Sequence, residues 1–555
     1  MGKSKRNGTN FLVQGSILAI ASIISRIIGL VYRIPMTNII GDVGIGYYGC
    51  AFEIYNIVLI ISSYSLPLAV SKMVSASVTK GKYRTAYQVL KGALLFALVS
   101  GTIAALVVFF GAEFFTAALL KTPYSVFALK ILGPALVVVA VLGVLRGFFQ
   151  GLGTMMPSAV SQIIEQIVNA IVSVWAAYVL FGYGKRLGAV LGDPDHYAAA
   201  YGAAGGTLGT NLGSVAALLF VLLVFFAYMH VFKRRMRKEK RIEVDSFAYT
   251  MKILIATIIP VLLSTAVYNI SGIIDQGIFK NVAMLQGYSE HKVDVWWGVF
   301  SGKYKLLINV PIAIASAMAA SSVPTLTASF AEKDMVGVRS QINAAIRFVM
   351  VISFPCAVGL AVLGEPICRM LFPGTADTAP IAGNMLWLGA FAVVFYGMST
   401  LSNGLLQGIN RMKVPVINAA IALAVHVILL IVLMLFFRLN IYAVVIANMF
   451  FALLMCILNA RAIRKYIGYR QEYVKTFLIP LIASVIMGAA TFFVYKGSYA
   501  LLKSNSLSTV FAILVALVVY AVVLLLLKGI GEEEILKFPK GALLVRIAKK
   551  VHLLK

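Results

Sequence analysis

Long apolar stretches dominate the pattern of hydrophobic and polar positions along this chain. Many are long enough to cross a hydrocarbon core of about 30 Å as a helix that rises about 1.5 Å per residue. The clearest are residues 11–31, 94–110, 129–145, 215–229, 417–437 and 510–527. The pattern therefore predicts an all-α polytopic membrane protein.

Followed from end to end, the pattern predicts about fourteen transmembrane helices. They cover residues 11–31, 46–70, 87–110, 125–149, 157–182, 203–229, 248–276, 297–323, 344–364, 381–404, 415–437, 441–460, 474–495 and 507–527. Prolines interrupt the second and eighth of these helices, at Pro67 and Pro311.

A run of basic residues near mid-chain, from Lys233 to Lys238, divides the predicted helices into two lobes of six, followed by two further helices. The predicted segments are an N-terminal lobe (1–230, helices one to six), a cytoplasmic basic linker (231–247), a C-terminal lobe (248–465, helices seven to twelve), helices thirteen and fourteen (466–528) and a cytoplasmic tail (529–555).

A faint internal repeat supports the two lobes. The sequence Arg-Gly-Phe-Phe-Gln-Gly at residues 146–151 is echoed by Asn-Gly-Leu-Leu-Gln-Gly at 403–408. Each follows the fourth helix of its lobe, and a proline opens the next helix, at Pro157 and at Pro415. Two parallel lobes with the substrate site between them are a recurrent plan among transporters.

Composition and charge agree with a membrane protein. Of the 555 residues, 61% are hydrophobic and 12% are charged, and the net charge is +28. A large positive charge on a soluble protein would suggest that it binds nucleic acid. In a membrane protein it first indicates how the chain is oriented in the membrane, because cytoplasmic loops retain Lys and Arg. With the N-terminus inside, the inside segments hold 32 Lys and Arg residues and the outside loops hold 10. We therefore expect a multi-pass protein of the cell membrane with both termini cytoplasmic and no nucleic-acid partner.

No cofactor, metal ion or catalytic residue is expected. The four cysteines, Cys50, Cys356, Cys368 and Cys456, have no metal-ligand or redox spacing. They are expected to be packing residues.

Ionisable residues within predicted helices are candidate functional sites, because a charge inside a bilayer is costly. On helix one, Arg26 shares a polar face with Ser22 and Gly29 and lies too deep to reach the interface easily. Arg33 lies nearer the outer end of that helix. Arg26 is the stronger candidate for binding substrate, with a structural role as its alternative.

Helix eight brings further cations. Lys305 shares a face with Asn309, whereas Lys303 lies about 200° away around the helix. Both lysines line one narrow cavity only if the backbone unwinds at Gly302, so Lys305 is preferred. Cations brought together from helices one and eight repel each other unless an anion joins them. A diphosphate suits that need, and arginine offers the matching fork geometry.

The acidic residues within predicted helices are read as ion-pair partners or coupling sites. Glu53 on helix two is either a partner of Arg26 or a coupling site. Glu165 on helix five is expected to pair with Arg146 in a structural role. Asp275, toward the outer end of helix seven, is left open between the two roles.

Two motifs carry a family resemblance. Leu-Arg-Gly-Phe-Phe-Gln-Gly at residues 145–151, followed by Met-Pro-Ser-Ala-Val-Ser-Gln-Ile-Ile-Glu-Gln-Ile-Val at 156–168, resembles the polysaccharide-exporter branch of the MOP superfamily, and residues 64–74 are similar to the same branch. This branch includes stage V sporulation protein B and the MurJ-type lipid II flippases. The resemblance implies a MATE-like fold of fourteen helices, two lobes around a cationic cavity, alternating access, and a groove for a polyprenyl tail formed by the last two helices.

The resemblance also implies a function, the flipping of an undecaprenyl-diphosphate-linked sugar, with lipid II ahead of other glycans. Arg26 takes the role of the essential arginine in the family's helix-one motif, and Lys305 falls where relatives have an arginine. Residues 59–63 lack the basic residue of the family's second helix, and Asn169 stands where relatives often have arginine. The implied partners are an anionic lipid-linked sugar and membrane lipids, with coupling to the membrane potential or to a monovalent cation.

Three alternatives compete with this reading. A multidrug antiporter of the same fold usually stops at twelve helices and favours an acidic cavity. A membrane glycosyltransferase or polymerase needs paired carboxylates or a metal cluster at a surface loop, where this chain offers only Asp193, Asp195, His196, Glu290 and His291. A scaffold has no need of Arg26 inside the bilayer.

Overall fold

The computed structural model describes residues 17–18, 20–239, 246–530 and 546. Within these residues every regular element is a helix. Ten of the described helices are long and apolar enough to cross a membrane, or eleven if the bent pair Pro373–Leu388 and Ala390–Gly408 forms one span. The all-helical, multi-pass architecture is therefore confirmed, while the count of about fourteen stays a prediction. The start of predicted helix one, the middle of the linker and most of the C-terminal tail lie outside the described residues.

Internal contacts divide the chain into two compact units, an N-terminal unit that ends at Gly302 and a C-terminal unit that begins at Lys303. The helices of the N-terminal unit are α1 (Ile20–Val31), α2 (Arg33–Leu59), α3 (Leu66–Thr79), α4 (Tyr83–Glu113), α5 (Val126–Gly151), α6 (Met156–Leu191), α7 (Pro194–Arg237), α8 (Phe247–Asn269), α9 (Ser271–Leu285) and α10 (Glu290–Val299). Residues 248–302 thus belong to the N-terminal unit, and the predicted division at 231–247 stays a prediction.

The C-terminal unit contains the remaining helices. They are α11 (Lys305–Ala331), α12 (Met335–Leu371), α13 (Ala379–Leu388), α14 (Ala390–Gly408), α15 (Lys413–Leu435), α16 (Ile441–Ile467), α17 (Ile479–Leu502) and α18 (Asn505–Leu526). The break between α13 and α14 bends the chain by 53°. Short π-helical turns precede α11 and α17, at Phe300–Tyr304 and Val474–Leu478.

The connection between predicted helices one and two is shorter than expected. Only the turn at Tyr32 separates α1 from α2, and helical backbone continues to Gly41, where φ is 72° and ψ is 177°. Glycine tolerates this positive φ because it has no Cβ. Arg33 therefore lies in a helix and not in a loop, and the chain changes direction at Gly41.

Small residues let α6 and α7 pack closely along their lengths. Gly205, Gly209 and Gly213 recur every fourth residue on α7 and face α6. A Cβ added at Gly213 would meet the Glu165 carbonyl oxygen at 2.6 Å, and one at Gly209 would meet the Asn169 carbonyl oxygen at 2.5 Å. Glycines at this spacing are typical of tightly packed membrane helices. This contact fixes the rotation of α6 and hence the direction of its polar side chains.

Hydrogen bonds within each unit join segments that the predicted topology places on the same side of the membrane. Pairs on the predicted outer side are Tyr124 with Asp193 at 2.6 Å and Asn505 with Pro366 at 3.0 Å; pairs on the predicted inner side are Arg84 with Glu239 at 2.9 Å and Asn343 with Glu472 at 3.2 Å. This agrees with the predicted alternation of loops. Which of the two sides is cytoplasmic stays a prediction.

Candidate functional site

The polar face of α1 packs against α6. Ser22 donates a hydrogen bond from its Oγ to Gln162 Oε1 at 3.2 Å, and a Cβ added at Gly29 would lie 3.4 Å from Gln166 Oε1. Arg26 lies about 40° around the helix from Ser22 and about 60° from Gly29. The guanidinium therefore projects beside a polar contact between helices.

Arg26 is exposed, but it lies on a different side of α1 from the most exposed apolar residues of that helix. The most exposed of these are Ile20 at 57%, Ile27 at 57% and Val31 at 56%. They lie about 100° or more around α1 from Arg26. Arg26 makes no hydrogen bond or ion pair with any residue that the structure describes. It is thus a cation on the polar side of a membrane helix whose charge the described chain leaves uncompensated.

The nearby cation Arg146 is compensated. Its Nη2 lies 2.8 Å from Glu165 Oε2, and its Nε donates to Ser161 Oγ at 2.8 Å. Both members of the ion pair are largely buried, with 14% and 21% of their side chains exposed. The ion pair is therefore present and ties α5 to α6, while its assignment to a structural role stays a prediction.

The polar face of α6 contacts three neighbouring helices. Ser161 and Glu165 bond Arg146 on α5, Gln162 bonds α1, and Ser173 donates to the Gly206 carbonyl of α7 at 2.7 Å. A polar face that can be read from periodicity is thus divided among the helices that surround it.

Two other predicted site residues are held by packing within the N-terminal unit. The Arg33 guanidinium lies over the Tyr48 ring, 5.8 Å from its centroid. The half-buried Glu53 carboxylate lies against Gly272, where an added Cβ would overlap it. The expected pairing of Glu53 with Arg26 is not formed. A coupling role for Glu53 stays a prediction.

A buried polar cluster at the predicted outer end was missed by the sequence analysis. Lys280 and Asp294 form an ion pair, and each is 1% exposed. Tyr47 donates to Asp294 Oδ2 at 3.0 Å, and its hydroxyl oxygen lies 2.6 Å from His196 Nδ1. When the single hydroxyl hydrogen of Tyr47 is donated to Asp294, the hydroxyl oxygen can accept a hydrogen bond from a His196 tautomer protonated on Nδ1. Asp275 is buried at 1% exposure on the same helix as Lys280.

The predicted helices leave Lys280 in the outer loop between residues 276 and 297, and this prediction is wrong. Predicted helix seven ends at residue 276, whereas α9 continues to Leu285 and buries Phe279, Lys280 and Ala283. The apolar residues beyond 276 were the available signal for the longer helix. Nothing in the sequence indicated that Asp294 would meet Lys280.

Close backbone contact accompanies this cluster. A Cβ added at Gly46 on α2 would lie 3.2 Å from the Asp294 carbonyl oxygen, and one at Gly298 on α10 would overlap the Asp42 carbonyl oxygen. The two glycines permit α2 and α10 to touch at the predicted outer end. The N-terminal unit is therefore closed there by backbone contact and by buried polar bonds.

In the C-terminal unit, Lys303 is fully buried at 0% exposure. Its Nζ donates to the Thr375 carbonyl at 2.9 Å and to Thr378 Oγ1 at 2.5 Å, and it lies 5.7 Å from the centre of the Phe372 ring. These contacts hold the Lys303 side chain inside the C-terminal unit. Its part in binding substrate stays a prediction.

The other predicted residues of helix eight differ from Lys303. Lys305 is half-buried and Asn309 is exposed. The backbone does depart from α-helical winding at Gly302, which lies within the π-helical turn Phe300–Tyr304. The structure thus gives the two lysines different surroundings, and the preference for Lys305 as the substrate-binding lysine stays a prediction.

Comparison with known proteins places this geometry in a family. A family model described as "Polysaccharide biosynthesis protein" matches residues 12–330, and one described as "MatE" matches residues 306–432. The chain belongs to the polysaccharide biosynthesis protein family. It is therefore a member of the polysaccharide-exporter branch of the MOP superfamily, as the motifs had indicated.

Two relatives of this family member come from Bacillus subtilis (strain 168). Lipid II flippase MurJ is 26% identical over 497 residues, which cover 86% of this chain and 87% of that protein. Stage V sporulation protein B is 24% identical over 540 residues, which cover 97% of this chain and 99% of that protein. Of these two relatives, the first is named as a flippase.

Solved structures share the fold of this family member. Lipid II flippase MurJ in an inward closed conformation matches with a TM-score of 0.63 and 18% identity, over 91% of this chain and 97% of that one. An inward-facing multidrug resistance MATE family transporter matches with a TM-score of 0.61 and 16% identity, over 80% of this chain and 98% of that one. At these identities the likeness shows the fold alone, and it confirms a MATE-like multi-pass membrane protein.

Proposed function

We propose that this protein moves a polyprenyl-diphosphate-linked sugar across the cell membrane by alternating access, with lipid II ahead of other lipid-linked glycans. The observation that supports this most is Arg26, a cation on the polar face of α1 with no partner among the described residues. An uncompensated charge within a membrane span is costly unless a ligand uses it. A diphosphate offers paired oxygens that match the guanidinium fork.

The closed end of the N-terminal unit supports the transport mechanism. Substrate released on the outer side needs the contact between α2 and α10 to open. The hydrogen bond from Tyr47 to Asp294 then breaks, and Gly298 moves away from Asp42. Polar bonds at such a contact can re-form after each cycle because water replaces them when it opens.

In the C-terminal unit, Lys305 and Asn309 are proposed to contact the substrate, and α17 and α18 form the proposed groove for the lipid tail. Residues 477–495 and 507–527 carry no charged side chain, as contact with a polyprenyl chain requires. We further propose that the membrane potential assists export. An inside-negative potential favours outward movement of an anion by about 2.3 kcal/mol per charge per 100 mV. A monovalent cation is the other candidate for coupling, through Glu53 or Asp275.

Complementation of a strain with a conditional lipid II flippase tests the proposal. Arg26→Ala should be inserted and folded but inactive, and Arg26→Lys should lose most activity because an ammonium lacks the planar fork. Arg186→Ala, which removes an exposed guanidinium from α6, is the matched control and should stay active. Full activity of Arg26→Ala, or its failure only through misfolding, would refute the binding role.

The same experiment separates the alternatives. A multidrug antiporter would fail to complement and would instead raise resistance to cationic drugs. The match of residues 306–432 to the MatE family is the reason to measure drug resistance as well. For a glycosyltransferase, purified protein would elongate a lipid-linked glycan. Within the described residues, no group of three or more His, Cys, Asp or Glu side chains could hold the metal that such an enzyme often uses.

A further inference from the structure

A cavity of about 640 Å³ lies in the C-terminal unit, where α16 ends and the chain turns toward α17. Its lining residues come from α12, α14, α16 and the following segment. They are Ile346, Met398, Ile457, Ala460, Arg461, Ile463, Arg464, Tyr469, Arg470, Gln471 and Tyr473. One part of the wall is thus aliphatic and the other is cationic, a combination that suits an amphiphilic ligand. The volume falls in the ordinary range for ligand sites.

The turn beside the cavity is held in place by α12. Gly468 adopts φ 67°, which ends α16 in a left-handed turn. Arg339 then donates from Nε to the Ile467 carbonyl at 3.0 Å, and Tyr469 donates to Asn343 Oδ1 at 3.0 Å. Burial raises the pKa of the Tyr469 phenol to about 12, so this hydroxyl remains a donor at neutral pH. The wall is therefore formed before any ligand arrives.

The cationic part of the wall lacks internal compensation. Arg461, Arg464 and Arg470 are exposed, and none of their guanidinium groups makes a hydrogen bond or ion pair with the described residues. No Asp or Glu lines the cavity. Gln471 also lines it, and its Nε2 is buried without a hydrogen-bond partner in the described chain. Unpaired buried donors are rare in proteins, so this amide points to an acceptor that the chain itself does not supply.

Orientation alone does not account for this arrangement. Basic residues after a span are expected on the cytoplasmic side, and cations near a helix C-terminus also favour the helix dipole. Both effects explain the sign of the charge. Neither explains why three guanidinium groups share one cavity with Gln471 and aliphatic side chains. The basic residues Lys233, Arg234 and Arg235 at the end of α7 show the ordinary case, since they are exposed as well but none of them lines this cavity.

We propose that this cavity binds a phosphate group, presented by the headgroup of an anionic membrane lipid. Guanidinium groups bind phosphate oxygens in pairs, and the Gln471 amide adds a neutral donor. The aliphatic wall accepts the first carbons of the lipid. Tyr473 is 72% exposed, and exposed tyrosines are typical of the ends of membrane-spanning helices. The inference does not depend on the proposed transport function.

Native mass spectrometry of the purified full-length chain, titrated with phosphatidylglycerol or phosphatidylcholine, tests the proposal. The cavity variant replaces Arg461, Arg464 and Arg470 with Gln. The matched control replaces Lys233, Arg234 and Arg235 with Gln and removes the same charge. Phosphatidylglycerol affinity should fall by at least about tenfold in the cavity variant and by less than about twofold in the control. Phosphatidylcholine binding should be equal in all three proteins.

A parallel titration with inorganic phosphate identifies the source of the ligand. Loss of phosphate binding in the cavity variant, with phosphatidylglycerol binding unchanged, would keep the phosphate chemistry but overturn the lipid as its source. Equal losses in the cavity and control variants, or no loss in either, would overturn the site. Gln471→Leu keeps the charge and should weaken phosphatidylglycerol binding several-fold. If the triple variant does not fold, Gln471→Leu alone tests the proposal. Unchanged phosphatidylglycerol binding in Gln471→Leu would then overturn it.

Discussion

The polar cluster at the closed end of the N-terminal unit and the cavity of the C-terminal unit both gather cations, but they differ in compensation. Lys280 is buried against Asp294, and Tyr47 bonds the same carboxylate. In the cavity, Arg461 and Arg464 share space with no acidic residue. A cation that already has its anion serves the fold. Cations gathered in a formed cavity without one are available to a ligand. Arg26 on α1 shares with them only the lack of a partner among the described residues.

The largest effect on stability is expected at the buried ion pair. Asp294→Asn leaves the Lys280 ammonium buried without its carboxylate and should lower the free energy of unfolding by about 3–5 kcal/mol. Unfolding of the purified protein in detergent measures this. Glu113→Gln is the control, because its pair with Lys130 is exposed and its loss should cost less than about 1 kcal/mol. Equal losses of unfolding free energy in the two variants would mean that the buried ion pair stabilises the fold no more than the exposed one does.

Close backbone packing should give the next largest effect. Gly298→Ala places a Cβ on the Asp42 carbonyl oxygen, so α10 must move away from α2 at a cost of about 3 kcal/mol. Labelling of a cysteine introduced at Val43 should become faster as this end opens. Gly182→Ala has open space around its Cβ and should change neither quantity appreciably. Unchanged labelling in Gly298→Ala would argue against a contact that opens.

A smaller effect is expected for the tyrosine that joins the cluster. Tyr47→Phe removes the hydroxyl that contacts Asp294 and His196, and should lower the free energy of unfolding by about 1–2 kcal/mol. Tyr178→Phe, at an exposed phenol, serves as the control. Thermal unfolding of both proteins measures the difference. If Tyr47→Phe matches its control, the cluster holds together without this bond.

The smallest effect should come from the cavity. Replacing Arg461, Arg464 and Arg470 with Gln should leave the free energy of unfolding unchanged within about 0.5 kcal/mol in lipid-free detergent. Arg339→Ala, nearby but bonded to the Ile467 carbonyl, should cost about 1 kcal/mol. A large loss in the triple variant would mean that these arginines serve the fold, as Lys280 does.

Much of the architecture was available from the sequence. Helix five was predicted at 157–182 and α6 covers Met156–Leu191; helix fourteen was predicted at 507–527 and α18 covers Asn505–Leu526. Apolar length, prolines and glycines determine such helices locally. The pairing of Arg146 with Glu165 was also predictable, because adjacent helices joined by a short turn bring nearby residues together.

Other features were decided by the tertiary structure. The predicted helices leave Lys280 and Asp294 in an outer loop, and nothing in the sequence sets Arg461 and Arg464 apart from the other basic residues. Helical periodicity tells which side chains share a face, but not which helix that face will meet. The meeting of faces depends on packing between distant segments, such as the contact of Gly298 with Asp42. The sequence by itself therefore determined a polytopic helical membrane protein and its candidate charges, and only the tertiary structure decided which of those charges are paired, because compensation is a property of neighbours in space.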